Sequence, residues 1–447
     1  MTPMRLVSLS ALLCCAVATP VRAQNLLALY EAASAYDAAF QSAQAQYAAT
    51  LARADQAFAG LLPTVNLTAG YTESQYKNYT PFVARDIVNQ TAAIAATQPL
   101  YRPGNLVTWE QALKQKVQAR VQFDNAAQDL IIRVSQAYFD VLAATDTLAF
   151  VRAQKAAVAE QLASAKRNFE VGTATITDTR EAEARFDLVR AQEIAAENDL
   201  RVKRLALDTL VGKSNTEPVP LRAPLNVAAL EPADLQNWIS RSEDVAPSVQ
   251  QARLAFEIAR LEVDKARATG KPTVDLTVQH SQTRTPNGTN VTAVGTRNHT
   301  SSIGVNFVMP LFAGYAIENR IKESIALQTK AEADLEATRR TVAQGVRSAY
   351  FGVVSGVGQV RALEAAESSS QLALDANKLG YQVGVRINID VLNAQSQLFQ
   401  TKRDLSVARY NVLLGGLRLR QAAGTLSAED LQQVNAALGA APAAAKP

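Results

Sequence analysis

The sequence predicts a mixed, mainly α fold, built as a duplicated unit in which a pair of β-strands is followed by two long coiled-coil helices. Landmarks recur in one order: Leu62-Pro63-Thr64-Val65-Asn66-Leu67-Thr68 returns as Lys271-Pro272-Thr273-Val274-Asp275-Leu276-Thr277, and Gln98-Pro99-Leu100-Tyr101 as Met309-Pro310-Leu311-Phe312. Ala137-Tyr138-Phe139 returns as Ala349-Tyr350-Phe351, and Phe169-Glu170-Val171-Gly172 as Tyr381-Gln382-Val383-Gly384. From there the spacing holds at 212 positions, Gly172 to Gly384 and Asp178 to Asp390. Such internal repetition means a duplicated structural plan. Two proline-free stretches, about 104–171 and 314–383, carry helical periodicity, as in Leu113, Val117, Val121 and then Leu130, Val134, Tyr138, Val141. At 1.5 Å per residue each is a helix of about 100 Å.

The N-terminus carries Arg5, an apolar run from Leu6 to Ala18, and Val21-Arg22-Ala23. This is the pattern of a Sec signal peptide over residues 1–23, cleaved before Gln24. The two cysteines, Cys14 and Cys15, leave with it, so the mature chain has no thiol or disulfide. Leu13 before Cys14 argues against a lipid anchor. No other run approaches about 18 apolar residues, so any membrane-spanning part is a β-barrel.

The strands show period-two alternation. Thr273, Asp275, Thr277 and Gln279 alternate with Val274, Leu276 and Val278, and Ser302, Gly304 and Asn306 with Ile303, Val305 and Phe307. In the first half, Val65, Leu67, Ala69 and Tyr71 alternate with Asn66, Thr68, Gly70 and Thr72, with a weaker partner over 91–98. The polar stretches Ser74 to Asp86 and Thr283 to Asn298 read as exposed loops, and Pro99 and Pro310 as strand stops.

The last long helix repeats every seven residues at Val391, Leu398, Leu405, Val412 and Leu419, with Ala394, Thr401, Ala408, Gly415 and Ala422 three positions later. A heptad with small residues on one seam predicts close coiled-coil packing. Its first-half counterpart has Phe186, Leu200 and Leu207, interrupted by Glu193 and Lys203. The expected organisation is a first repeat over 24–212, a proline-rich connector over 213–232, a second repeat over 233–424 and a tail over 425–447, disordered after Ala436.

Formal charge is +4 with no dense basic run, which gives nucleic-acid binding no support. Gly352, Gly356 and Gly358 lie in a helical pattern with no strand before them, so they read as small-residue packing and not a phosphate loop. His280 and His299 map to a strand and its loop, away from acidic clusters, and read as a polar rim. No catalytic arrangement, cofactor motif or metal site emerges, and the chain is not read as an enzyme.

Gly380-Tyr381-Gln382-Val383-Gly384-Val385-Arg386, then Asp390-Val391-Leu392 and Asn411 through Gly424-Thr425-Leu426, resemble the periplasmic helix turn and C-terminal helix of the TolC family of outer-membrane channel proteins. Val171-Gly172 and Ile176-Thr177-Asp178 resemble the matching turn of the first repeat. The resemblance implies a homotrimer whose twelve strands close a barrel in outer-membrane lipid and whose helices continue it as a periplasmic α-barrel. It also implies a periplasmic adaptor (membrane fusion) protein and an inner-membrane ABC or RND pump as partners, and a role as exit duct in type I secretion or multidrug efflux. Open strand edges that one chain cannot satisfy in lipid agree with trimerisation.

Asp178, Tyr381 and Arg386 fall where the family closes its tunnel with hydrogen bonds and a salt bridge; the plainer alternative is a solvated ion pair contributing about 0 to 1 kcal/mol. Arg167 stands where the family's gate has glutamine, and it accepts no hydrogen bond. Asp390 matches a constriction aspartate that a trimer turns into a ring of carboxylates, and also suits a helix N-terminus. Asn393 stands where the family often has a second aspartate, which implies weaker cation selectivity. The competing class is a periplasmic coiled-coil adaptor or scaffold, which shares the signal peptide and heptads but does not need two alternating strand pairs.

Overall fold

The computed structural model describes residues 24–221 and 232–438. The signal peptide and cleavage site lie outside this range. In order, the described chain forms α1 (Leu26–Tyr36), α2 (Ala38–Ala59), β1 (Thr64–Tyr79), β2 (Phe82–Tyr101), α3 (Pro103–Glu170) and α4 (Ile176–Val211). After the connector come α5 (Leu235–Val245), α6 (Pro247–Ala268), β3 (Thr273–Thr285), β4 (Thr296–Val308), α7 (Ala316–Gln382), α8 (Asn388–Ala422) and α9 (Asp430–Ala437). With 68 and 67 residues, α3 and α7 each extend about 100 Å. Pro103 starts α3 at a position where the absent N–H loses no helical bond.

The two strand pairs form one antiparallel sheet in the order β1-β2-β3-β4, so β2 and β3 join the repeats. Its register places Val65 beside Ala96, Ala96 beside Val278 and Val278 beside Ile303. That face is apolar; the opposite one carries Asn66, Thr97, Thr277 and Gly304. Both strands of the first pair are longer than the alternation suggests. Ser74 to Asp86 is not a loop, since β1 runs to Tyr79 and β2 resumes at Phe82. Thr283 to Asn298 likewise contributes strand at both ends, leaving a loop only over 286–295. Backbone pairing holds these polar ends. Pro99 does not stop β2, which absorbs it as a register shift between Pro99 and Tyr101, where a missing donor is tolerated. Pro310 does follow a strand end, at Val308.

On α8, Val391, Leu398, Leu405, Val412 and Leu419 are all buried, as the heptad requires. The helices approach closely through glycine: a Cβ on Gly356 of α7 would lie 2.9 Å from Val412 Cγ2, and one on Gly415 of α8 3.2 Å from Val353 Cγ2. The charged interruptions of the α4 seam are matched across the interface. Lys155 of α3 pairs with Glu193, Arg152 adds a contact at 3.4 Å, and Lys203 reaches Asp140 at 3.2 Å. The hydrogen bond from Lys155 holds the Glu193 carboxyl below the usual carboxylate range.

The repeated tyrosines tie the connector down at both ends. Tyr138, fully buried, donates its hydroxyl to Val219 O at 2.8 Å, and Tyr350 donates to Ala233 O at 2.6 Å. Burial pushes the Tyr138 hydroxyl well above its ordinary pKa, so it stays a donor. The tail expected from residue 425 on carries a helix not anticipated from the sequence: in α9 Leu431 and Val434 join the core that holds Leu26 and Leu29, and Asn435 Oδ1 accepts from Leu26 N at 3.0 Å.

Candidate functional site

The α3–α4 and α7–α8 turns are near-copies in backbone. Val171 and Val383 have φ,ψ of −89°, 3° and −91°, 3°, and each is followed by a left-handed glycine, Gly172 at φ 78° and Gly384 at φ 79°. Left-handed geometry ends a helix cheaply only at glycine. Asn168 O accepts from Thr173 N and Ala174 N, and Gly380 O accepts from Val385 N and Arg386 N.

Their side chains differ. In the first turn Thr175 caps α4: Asp178 N donates to Thr175 Oγ1 at 3.3 Å, while Asp178 Oδ2 accepts from Thr175 N at 2.9 Å and Thr175 Oγ1 at 2.7 Å. This capping box occupies the Asp178 carboxylate. The second turn has Ile387 at the corresponding position, with no side-chain cap. Asp390 is thus left to Arg386, whose Nη1 is 3.7 Å from Asp390 Oδ2. Gly380 makes room for this arginine, since a Cβ there would sit 2.7 Å from Arg386 Cγ.

Asp178, Tyr381 and Arg386 line one cleft of about 920 Å³ between the turns, together with Arg167, Asn168 and Asn388. Within a single chain Arg386 turns to Asp390 and not to Asp178. Tyr381 Oη accepts from Asn168 Nδ2 at 3.1 Å, linking α7 to α3, and its ring packs on Leu374, Val391 and Leu398. The exposed side chain of Arg167 makes no hydrogen bond among the described residues. One turn along α8 from Asp390, Asn393 Oδ1 accepts from Arg185 Nη2 of α4 at 2.8 Å.

Several cross-links were not anticipated from the sequence. Fully buried Asn388 donates Nδ2 to Asp178 O at 3.1 Å and accepts from Gln161 Nε2 at 2.5 Å, joining α8 to both α3 and α4. Below it Val151, Val158 and Ala165 of α3, Ala182 and Val189 of α4 and Leu392 of α8 form a shared core. The sevenfold spacing of the α3 residues was a readable signal for that core. Asn168 and Arg185 are ordinary polar residues on helix faces, and nothing in their local pattern marks them.

A sheet with one apolar and one polar face, continued by helices of about 100 Å whose far ends meet in a polar cleft, defines the protomer of an outer-membrane channel with a helical periplasmic tunnel. The chain belongs to the outer membrane efflux protein family, whose model matches residues 29–213 and 238–425. It is 35% identical to the outer membrane protein TolC of Vibrio cholerae over 94% of this chain and 95% of that one. It is 30% identical to the alkaline protease secretion protein AprF of Pseudomonas aeruginosa, over 79% of this chain and 73% of the other. The outer membrane protein VceC of Vibrio cholerae has the same fold, with TM-score 0.76 at 19% identity over 89% of this chain and 96% of that one. The protein is an outer-membrane channel of the type I secretion and efflux class, and family membership displaces the adaptor or scaffold reading.

Proposed function

We propose that this channel works as a homotrimer, receiving substrate at its helical end from a periplasmic adaptor and an inner-membrane ABC or RND pump. The observation that carries the trimer is the pair of sheet edges. Among the described residues β1 pairs only with β2 and β4 only with β3, leaving two long edges with unpaired backbone groups. Lipid does not satisfy such groups, so the edges demand partners, and further copies of the chain supply them.

The cleft between the turns is the periplasmic gate in this reading, with Asp178, Tyr381 and Arg386 as its latch and Asp390 as its constriction. Tyr381 holds α7 to α3 by a neutral hydrogen bond, and Arg386 presents a cation beside the constriction carboxylate. Within one chain Arg386 reaches Asp390 and not Asp178, so in this reading a salt bridge from Arg386 to Asp178 forms between copies. Asn393, engaged by Arg185, leaves Asp390 as the main source of cation preference.

The test is the mass of the detergent-purified mature protein by light scattering, with cysteines placed on β1 and β4. Trimers that cross-link between those strands support the proposal; a monomer without cross-links refutes it.

A further inference from the structure

The apolar face of the sheet ends in a patch of basic residues on β3 and β4. Along this face β3 presents Val274, Leu276 and Val278 and then His280, Gln282 and Arg284; β4 presents Phe307, Val305 and Ile303 and then Ser301, His299 and Arg297. On β1 and β2 the same rows remain apolar further on, with Leu67 beside Ile94 and Ala69 beside Ala92. On this face of the first hairpin the basic residue is Lys77 of β1, opposite Ala84 and nearer the loop; the opposed basic pair belongs to the second hairpin.

The height of the patch follows from strand geometry. From Val274 to Arg284 the strand rises roughly 34 Å, or about 25 Å of height at a tilt near 40°. An outer-membrane barrel carries an apolar band about 25 Å tall. The helices leave from the Val274 end, so Arg284 and Arg297 stand at the outer rim of that band and the histidines just inside it.

Arg284 and Arg297 are directly opposed in the register. Like charges facing each other across an antiparallel pair destabilise it. Neither has a carboxylate within ion-pair distance among the described residues. Glu73 and Asp86, the carboxylates on this face, sit nearer the loops on β1 and β2, where Asp86 pairs with Gln75 at 3.3 Å. The patch is nonetheless ordered. With the Gln282 amide oxygen toward it, Arg297 donates Nε–H and Nη2–H to that oxygen, both at 2.7 Å. His280 Nδ1 lies 2.8 Å from Ser301 Oγ, and the His280 and His299 rings are 6.1 Å apart.

We propose that Arg284 and Arg297, with His299 and His280 beneath them, bind the phosphate of an anionic glycolipid in the outer leaflet, whose acyl chains lie along Val278 and Ile303. Guanidinium groups match phosphate oxygens in paired hydrogen bonds, and a phosphate between two opposed arginines removes their repulsion. The apolar rows beneath suit acyl chains and do not suit a soluble anion. The inference rests on the sheet being part of the barrel wall and is independent of the gate.

The test uses the purified assembled channel in detergent, after its oligomeric state has been verified, so that failed assembly is seen before lipid is added. Diphosphorylated lipid A, the same lipid with its phosphates removed, and inorganic phosphate are each added, and melting temperature and retained lipid by native mass spectrometry are read. The expected result is a rise of a few degrees and about one retained lipid per protomer with the phosphorylated lipid only. Arg284→Gln with Arg297→Gln abolishes both effects, Arg284→Lys with Arg297→Lys keeps part of each, and Lys77→Gln on β1 keeps both in full. Equal responses to phosphorylated and dephosphorylated lipid, an equal response to inorganic phosphate, or an unchanged response in the double glutamine variant would overturn the proposal.

Discussion

Arg386 crosses the α7–α8 turn directly over Gly380, so close that a methyl group there would lie 2.7 Å from Arg386 Cγ. The first repeat inverts these sizes, with Asn168 and Ala174 at the corresponding positions. Gly380 thereby sets the direction of Arg386. Gly380→Ala is expected to displace the arginine without breaking α7, since alanine favours helix. Basal conductance should rise several-fold with trimer abundance unchanged; conductance equal to that of the parent would show that the arginine's position does not control closure.

Ile387→Thr is expected to recreate in the second turn the capping box that Thr175 and Asp178 form in the first. The cap should stabilise the start of α8 by about 1 kcal/mol and draw Asp390 away from Arg386. Hydrogen exchange at residues 388–390 reads the cap, with slower exchange expected and an unchanged rate counting against it.

With Asp390 at the proposed constriction, Asp390→Ala is expected to lower the cation preference of single channels, because the proposed trimer would lose three carboxylates from that ring. Arg185→Gln is expected to raise it, by removing a cation held at Asn393. Reversal potentials in a salt gradient measure both. Shifts of the same sign in the two variants would show that they do not act on one ion path.

Asp37 caps α2 and accepts two hydrogen bonds from Arg133, at 3.1 and 2.8 Å. The hydrogen bond from Arg133 holds its carboxyl below the usual range. A depressed native pKa gives stability that is present above the unfolded value, about 3.9, and is lost as pH falls through the native one. Asp37→Asn keeps a cap, so it should cost about 1 kcal/mol at neutral pH, with Arg133 partly exposed, and progressively less below about pH 4. Thermal melts from pH 7 to pH 3 check this, and a difference constant across that range would contradict it.

The long helices and the strand faces were legible because each rests on a regular period: Val391 to Leu419 at seven, set by burial along the helix seam, and Val274 to Val278 at two, set by the unlike faces of the sheet. The strand ends beyond them were not, because Ser74 to Tyr79 is held by backbone pairing that carries no side-chain signature. The short helix α9 was hidden in an alanine-rich tail, where only Leu431 and Val434 mark the buried side. At the turns the resemblance singled out Asp178, Tyr381, Arg386 and Asp390, but it did not tell which contacts form within one chain. Those depend on single differences between the repeats, threonine or isoleucine at 175 and 387, asparagine or glycine at 168 and 380.

The most direct measurement of the account is single-channel conductance of the purified protein in planar lipid bilayers, for the parent and for Tyr381→Phe with Arg386→Ser. Losing both contacts should shift the closed–open balance by about 1 to 3 kcal/mol, roughly five- to 150-fold. The account predicts small discrete conductance steps for the parent and markedly larger ones for the variant at equal trimer abundance. Indistinguishable steps in the two would contradict the gate, and no steps in either would contradict the channel itself.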